Sequence, residues 1–302
     1  MEATVREDNL KSGFISIIGN TNVGKSTLLN YVLGEKIAIV SDKPQTTRNR
    51  ILGIKNSPNA QMIFLDTPGI HKAKPQLNRY MVKEATKTYS DVDIILLLVQ
   101  ANTGIGDGDR FAIETLEKIK APVVLVINKI DLIRKESLLP LIDQCSKLYD
   151  FKSIIPISAL SGQGVDQLIK EIEGLLPFGP KYFPEEMITD LPERFIVAEI
   201  IREKIFHLTS QEIPYSVAVV INDFKEREGV NTIFIRAAIH VEKPSQKGIL
   251  IGKKGSMLKR IGQMARSDIE KLLDAKVYLE LQVRVEKDWS KDIRALRKLG
   301  YR

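Results

Sequence analysis

Residues 19–26 of this 302-residue chain read Gly-Asn-Thr-Asn-Val-Gly-Lys-Ser, the spacing G-x-x-x-x-G-K-[ST]. The loop lies between the apolar run "GFISIIG" (13–19) and the helical pattern "KSTLLNYVL" (25–33). There its backbone N–H groups and the following helix N-terminus would point at phosphate. Lys25 would neutralise β- and γ-phosphate charge and Ser26 would hold Mg²⁺. Gly19, Asn20, Thr21, Asn22, Val23, Gly24 and Thr27 complete the expected cradle. "DTPG" (66–69) ends a second apolar run, so Asp66 can reach the water shell of that ion. Thr67 and Pro68 lead to Gly69, whose N–H would sense a γ-phosphate. "NKID" (128–131) supplies Asn128, Lys129 and Asp131. The Asp131 carboxylate can accept from both N1–H and the exocyclic amine of guanine, whereas adenine offers an acceptor at that ring nitrogen. "SAL" (Ser158, Ala159, Leu160) closes the base pocket, with the Ala159 N–H placed for guanine O6.

A second glycine loop, "LIGKKG" (250–255), raises a different chemistry. It follows a helical pattern instead of a buried strand and lacks the Lys-Ser ending, so a second mononucleotide is the poorer reading. From Lys243 to Ser267 the chain holds five Lys, two Arg and no acid. A solvated helix face mixes signs, so an unmixed block points to an anionic partner. Gly252 and Gly255 would let a phosphate backbone approach, with Ile251, Lys253, Lys254, Lys259 and Arg260 around it. Ile251, with Ile249, Met257 and Ile261, is also expected to form the apolar floor of a base groove.

The elements that must position these loops are legible in the pattern. Strands are expected at 13–19, 50–56, 60–66, 93–101, 122–129 and 153–159, several of them unbroken Val/Ile/Leu runs of the kind buried on both faces of a parallel sheet. Helical patterns alternate with them at 25–34, 76–90, 108–119, 137–149 and 164–175. That order implies right-handed βαβ units in a doubly wound α/β domain, with one antiparallel edge hairpin around "SPNA". We divide the chain into a tail (1–12), a nucleotide domain (13–176), a proline-rich linker (177–191) and a second, α+β domain (192–302) of order α-β-β-α-α-β.

Composition excludes other classes. The longest apolar run, "IILLLV" (94–99), is far short of the roughly 20 residues of a membrane span. The first 13 residues are charged and carry no apolar signal core. One cysteine, Cys145, allows no internal disulfide and fits a reducing cytoplasm. His71, His207 and His240 are too scattered for a metal site. Trp289 either packs after the last strand or stacks on a base, and the stripe Val197, Ile201, Ile205, Leu208 reads as core.

The four nucleotide motifs in this order resemble the translation-factor-type GTPases. The second domain resembles a type II KH domain, in which a G-x-x-G loop clamps about four nucleotides of a single strand. Together with "KPQTTRNRI", "DTPGIH", "FPEEMITDLPER" and "LIGKKG", the chain from 13 to 302 resembles the Era family of GTPases. That resemblance implies a GTP/GDP switch with Mg²⁺, binding near the 3′ end of 16S rRNA, small-subunit assembly, a monomer, and peripheral membrane association in the cytoplasm. The rival is a membrane-associated signalling GTPase whose basic domain binds acidic lipid. By the same resemblance Thr47, directly before Arg48, is the threonine that reaches Mg²⁺ and γ-phosphate. Ile70 stands where many GTPases carry the water-orienting glutamine. In relatives of this type a phosphate-loop asparagine helps hold K⁺; Asn22 occupies that place, or simply caps the loop. Lys25, Thr47 and Asn22 are therefore the expected catalytic residues. Thr21 replaces a usual proline, which bears on hydrolysis and not on nucleotide binding.

Overall fold

The computed structural model describes residues 10–41, 43, 47–67, 92–117, 119–210, 212–226 and 231–300. Pro68, Gly69, Ile70, His71, the helical pattern at 76–90 and residues 1–9 lie outside these.

Two compact units divide between Asp190 and Leu191. In the first, β1 (Lys11–Gly19), β2 (Ile51–Asn56), β3 (Ala60–Asp66), β4 (Ile94–Gln100), β5 (Val123–Asn128) and β6 (Ser153–Pro156) form one sheet in the order β2-β3-β1-β4-β5-β6. All neighbours are parallel except the edge pair β2–β3, in which Ile51 faces Asp66. Ile94 to Val99 are wholly buried, as an unbroken apolar run on a two-sided sheet requires. Helices α1 (Lys25–Leu33), α2 (Asp107–Leu116) and α3 (Leu138–Ser146) lie between strands, and α4 (Val165–Leu175) follows β6. β6 stops three residues early, at Pro156, and the chain turns there into the Ser158 loop.

The stretch read as a linker is laced to this unit instead. Gln61, fully buried in β3, accepts from the N–H groups of Tyr182 (2.7 Å) and Phe183 (3.0 Å). Its amide donates to Phe183 O (2.8 Å) and to Asn56 Oδ1 (2.9 Å), so all four of its polar positions are used. Farther on, Ile54 N–H donates to Ile188 O (2.7 Å) and Thr189 Oγ1 to Leu52 O (2.6 Å). These bonds cover the free edge of β2, which would otherwise expose unpaired backbone groups. The tail is likewise shorter than expected: Leu10 is buried and β1 begins at Lys11.

The second unit follows the expected α-β-β-α-α-β order: α5 (Glu193–Leu208), β7 (Val217–Glu226), β8 (Thr232–Val241), α6 (Pro244–Ile251), α7 (Ser256–Leu273) and β9 (Lys276–Val285). β8 pairs antiparallel with β7 and parallel with β9. A short α8 (Ile293–Lys298) closes the chain. Residues 39–41 group with this unit, and Val40 N–H donates to Glu203 Oε1 at 3.1 Å. Val197, Ile201 and Ile205 are fully buried, which makes the stripe on α5 core. Trp289 is buried too, its Nε1–H donating to Ser216 O at 3.1 Å, so it packs and does not stack on a base.

Candidate functional site

β1 and the start of α1 flank the phosphate loop, and β3 ends beside it at Asp66. Lys25 opens α1 and is buried; its ammonium donates to the carbonyls of Gly19 (3.1 Å) and Asn20 (2.7 Å). Burial lowers its pKa to about 8, against the attraction of Asp66 and Asp109. Asp66, at the end of β3, is raised by burial to about 6, opposed by Lys25 and by the Ser26 and Thr47 hydroxyls. A phosphate beside Lys25 or a cation beside Asp66 would favour the charged form of each further.

Ser26, Thr47 and Asp66 converge. Ser26 Oγ lies 2.7 Å from Asp66 Oδ2 and 2.8 Å from Thr47 Oγ1, and Thr47 Oγ1 lies 3.5 Å from the same carboxylate oxygen. Asp66 Oδ1 is buried with no hydrogen-bond partner. An all-oxygen set with one orphaned carboxylate oxygen fits a hard cation such as Mg²⁺. Among the described residues no cluster of three His, Cys, Asp or Glu offers an alternative metal site.

Asn128 ties the phosphate loop to the Ser158 loop. Its amide donates to Val23 O (2.7 Å) and accepts from Ala159 N–H (2.9 Å). A Cβ on Gly24 would stand 2.2 Å from that amide nitrogen, so only glycine admits it. Ala159 N–H, expected to meet guanine O6, is thus engaged by Asn128, because an amide buried to this degree must satisfy both ends. Lys129 turns left-handed (φ 64°) and its ammonium donates to Gln100 Oε1 at 2.9 Å. Asp131 and Leu160 are exposed. The buried Thr67 hydroxyl donates to Ile17 O (2.9 Å) and braces the end of β3 against β1. Asn22 sits at φ 64°, a left-handed position that asparagine tolerates better than most residues. Asn20 Oδ1 accepts from Thr21 N–H at 2.8 Å. Thr27 follows Ser26 on α1.

Two contributors escaped the sequence. Asn30 accepts from the N–H groups of Ile37 (3.1 Å) and Ala38 (2.9 Å), pinning the chain that leads toward Thr47. Asp109, on α2, is nearly buried; one oxygen accepts from Gly106 N–H (3.0 Å) while the other has no partner, and burial raises its pKa. Only a short Gly-Asp-Gly-Asp run could have flagged it. Cys145 is fully buried and its thiol is pushed up to about 11, leaving it inert.

In the second unit, Gly252 ends α6 and Gly255 caps α7 at φ 80°, with Lys254 left-handed between them at φ 52°. A Cβ on Gly252 would stand 2.9 Å from the Met257 backbone nitrogen, whereas one on Gly255 would meet nothing within 4 Å. Lys253, Lys254, Lys259 and Arg260 are exposed, and Ile251 and Gly252 are half-buried. An open groove of about 360 Å³ starts at Gly255 and runs between α7 (Leu258, Gly262, Arg266) and β9 (Tyr278, Leu281). Ile261, expected to floor it, is fully buried in the core, on the stripe of α7 that adjoins the one carrying Leu258 and Gly262.

A family model described as 50S ribosome-binding GTPase matches residues 14–129, and one described as KH domain matches residues 212–290. The chain is 59% identical to GTPase Era of Geotalea uraniireducens over 295 residues, 98% of this chain and 99% of that protein. It is 59% identical to GTPase Era of Syntrophus aciditrophicus over 291 residues, 96% of this chain and 95% of that protein. Two solved structures, each with TM-score 0.94 and 45% identity, cover 97% of this chain and 99% of their own. One is a variant Era from Aquifex aeolicus bound to GDP·AlF4⁻, the other an Era in complex with MgGDPNP and nucleotides 1506–1542 of 16S ribosomal RNA. The identity extends over both domains and both glycine loops lie within it: the chain belongs to the Era family of GTPases.

Proposed function

We propose that this GTPase grips the 3′ region of 16S rRNA with its second domain and uses its nucleotide state to time that grip during small-subunit assembly. The observation that carries the reading is the Gly252–Gly255 turn, which leaves two lysines exposed at the head of a groove between α7 and β9. Acidic lipid would need the charge but neither the turn nor the groove, so the lipid reading is the weaker one. The solved relative with 16S nucleotides supports the choice of RNA. The protein acts as a monomer in the cytoplasm on this reading.

Within the first unit, Gly19 to Thr27 would cradle the phosphates, Lys25 balancing their charge as transfer proceeds. Ser26, Thr47 and, through water, Asp66 would hold Mg²⁺, which when bound neutralises charge between β- and γ-phosphate. Asn128, Lys129, Asp131 and the Ser158–Leu160 loop would hold guanine. RNA crosslinked to the protein in cells should concentrate near the 16S 3′ end, more in the GTP form than in the GDP form. Reads spread evenly over cellular RNA would overturn the proposal.

Asn22 is assigned to K⁺, which would supply positive charge that Ile70 cannot replace by orienting water. Hydrolysis is then faster in K⁺ than in Na⁺ at equal ionic strength, and Asn22→Ala abolishes the difference. Equal turnover of the parent protein in both salts would retire this assignment.

A further inference from the structure

Helix α1 carries Lys25 at its first position and Tyr31 six residues later, about 9 Å along the axis at 1.5 Å per residue. Lys25 belongs to the phosphate end, but Tyr31 reaches toward the base end. Its hydroxyl presses on Gly162, where a Cβ would stand 1.8 Å from the hydroxyl oxygen and 2.2 Å from the ring carbon bearing it. Gly162 is left-handed, at φ 83°, inside the loop that follows β6. That loop is a closed ring: Ser158 N–H donates to Gln163 O (2.9 Å), Gly162 N–H to Ser158 O (2.8 Å), and Ser161 N–H to Ser158 Oγ (3.3 Å).

A ring closed on itself keeps its shape but not its place. Its root is held by Ile157, whose N–H donates to Ile127 O (2.8 Å) and whose carbonyl accepts from Ile130 N–H (3.2 Å). Two side chains join it to the phosphate loop and the helix that follows. One is Asn128, which joins Val23 to Ala159 from inside. The other is Tyr31, from the side of α1. We propose that Tyr31 is a positioning residue for guanine recognition, holding the Ser158–Gln163 ring at the distance from the phosphate loop that a guanosine nucleotide spans. The inference rests on the assignment of the base pocket to Asp131 and the Ser158 loop.

Tyr31 is 45% exposed, so truncating it leaves a solvent-filled notch and not a core cavity. Three consequences follow. Tyr31→Ala speeds dissociation of a fluorescent GDP analogue about tenfold, within the range of couplings between residues in contact. Tyr31→Phe keeps the ring and restores most of the loss. Inorganic pyrophosphate, which occupies only the phosphate end, binds the parent and Tyr31→Ala equally well.

A double-mutant cycle isolates the contact. Gly162→Ala alone forces a methyl against the hydroxyl and displaces the ring. Adding Tyr31→Ala removes that clash, so the double variant binds GDP better than the two single losses combined would allow. The strain of a left-handed alanine is present in both backgrounds and cancels. Parent-like GDP dissociation from Tyr31→Ala, an additive cycle, or an equal loss of pyrophosphate binding would each overturn the role. Asp131→Asn measured alongside separates the failures: if that variant also handles GDP like the parent, the base-pocket assignment has failed and not the role of Tyr31 alone.

Discussion

Asp131→Asn weakens GTP binding by about 2–4 kcal/mol, the loss of a pair of charge-assisted hydrogen bonds with their partners left unpaired. At 1.4 kcal/mol per decade this is roughly 30-fold to 1,000-fold in Kd. The carboxylate is exposed, just past the left-handed Lys129, so its replacement by the isosteric amide leaves the fold intact. The amide that replaces it presents a donor where xanthine carries an oxygen. Xanthosine diphosphate should therefore bind the Asp131→Asn variant better than it binds the parent, while the melting temperature stays close to the parent's. Titration calorimetry of GDP and xanthosine diphosphate against both proteins reads the exchange directly. An unchanged affinity for guanosine nucleotides would remove Asp131 from the pocket.

The strands and their loops were legible because each stretch has one dominant cause. Unbroken Val/Ile/Leu runs such as Ile94–Val99 have no exposed face to offer, so they must be central strands, and the phosphate loop follows where such a strand ends. Reading failed where a residue's role is set by a partner far along the chain. Gln61 looks like an edge-strand polar residue, yet its amide clamps Phe183, 122 residues away, and turns a proline-rich stretch into part of the first unit. Asn128 looks like half of a base motif, yet its side chain is spent on Val23 and Ala159. Tyr31 carries no signal, because nothing in a helix pattern says what its outer face touches. Two neighbouring stripes of α7 have different fates. Ile261, Ala265 and Ile269, four residues apart, go to the core, while Leu258, Gly262 and Arg266, at the same interval, line the groove. Period alone does not say which stripe is buried.

Changing Lys253 and Lys254 to Ala weakens binding of a single-stranded RNA about tenfold near physiological salt, without altering GTP affinity. Each phosphate contact on a single strand contributes roughly 0.7 to the slope of log K against log salt, so losing two lowers it by about 1.4. Both lysines are exposed and Lys254 is already in a left-handed turn, so their truncation leaves no cavity. Introducing a negative charge separates the path of the strand from simple charge loss, and the two glycines differ as sites for it. At Gly252 any side chain meets Met257, 2.8 Å from its Cβ and 2.9 Å from its nitrogen, so the start of α7 would move and a binding defect would be ambiguous. At Gly255 a Cβ meets nothing within 4 Å, and the φ of 80° costs an aspartate about 1 kcal/mol. Gly255→Asp therefore folds, as circular dichroism checks, and places a carboxylate at the entrance of the groove. It should bind RNA more weakly than the double-alanine variant, since it repels the phosphates as well as obstructing them. A salt titration of one RNA oligomer against all three proteins gives both slope and intercept. If folded Gly255→Asp bound RNA as the parent does, the loop would be only the turn that joins two helices, and the RNA would lie on another face of the second unit.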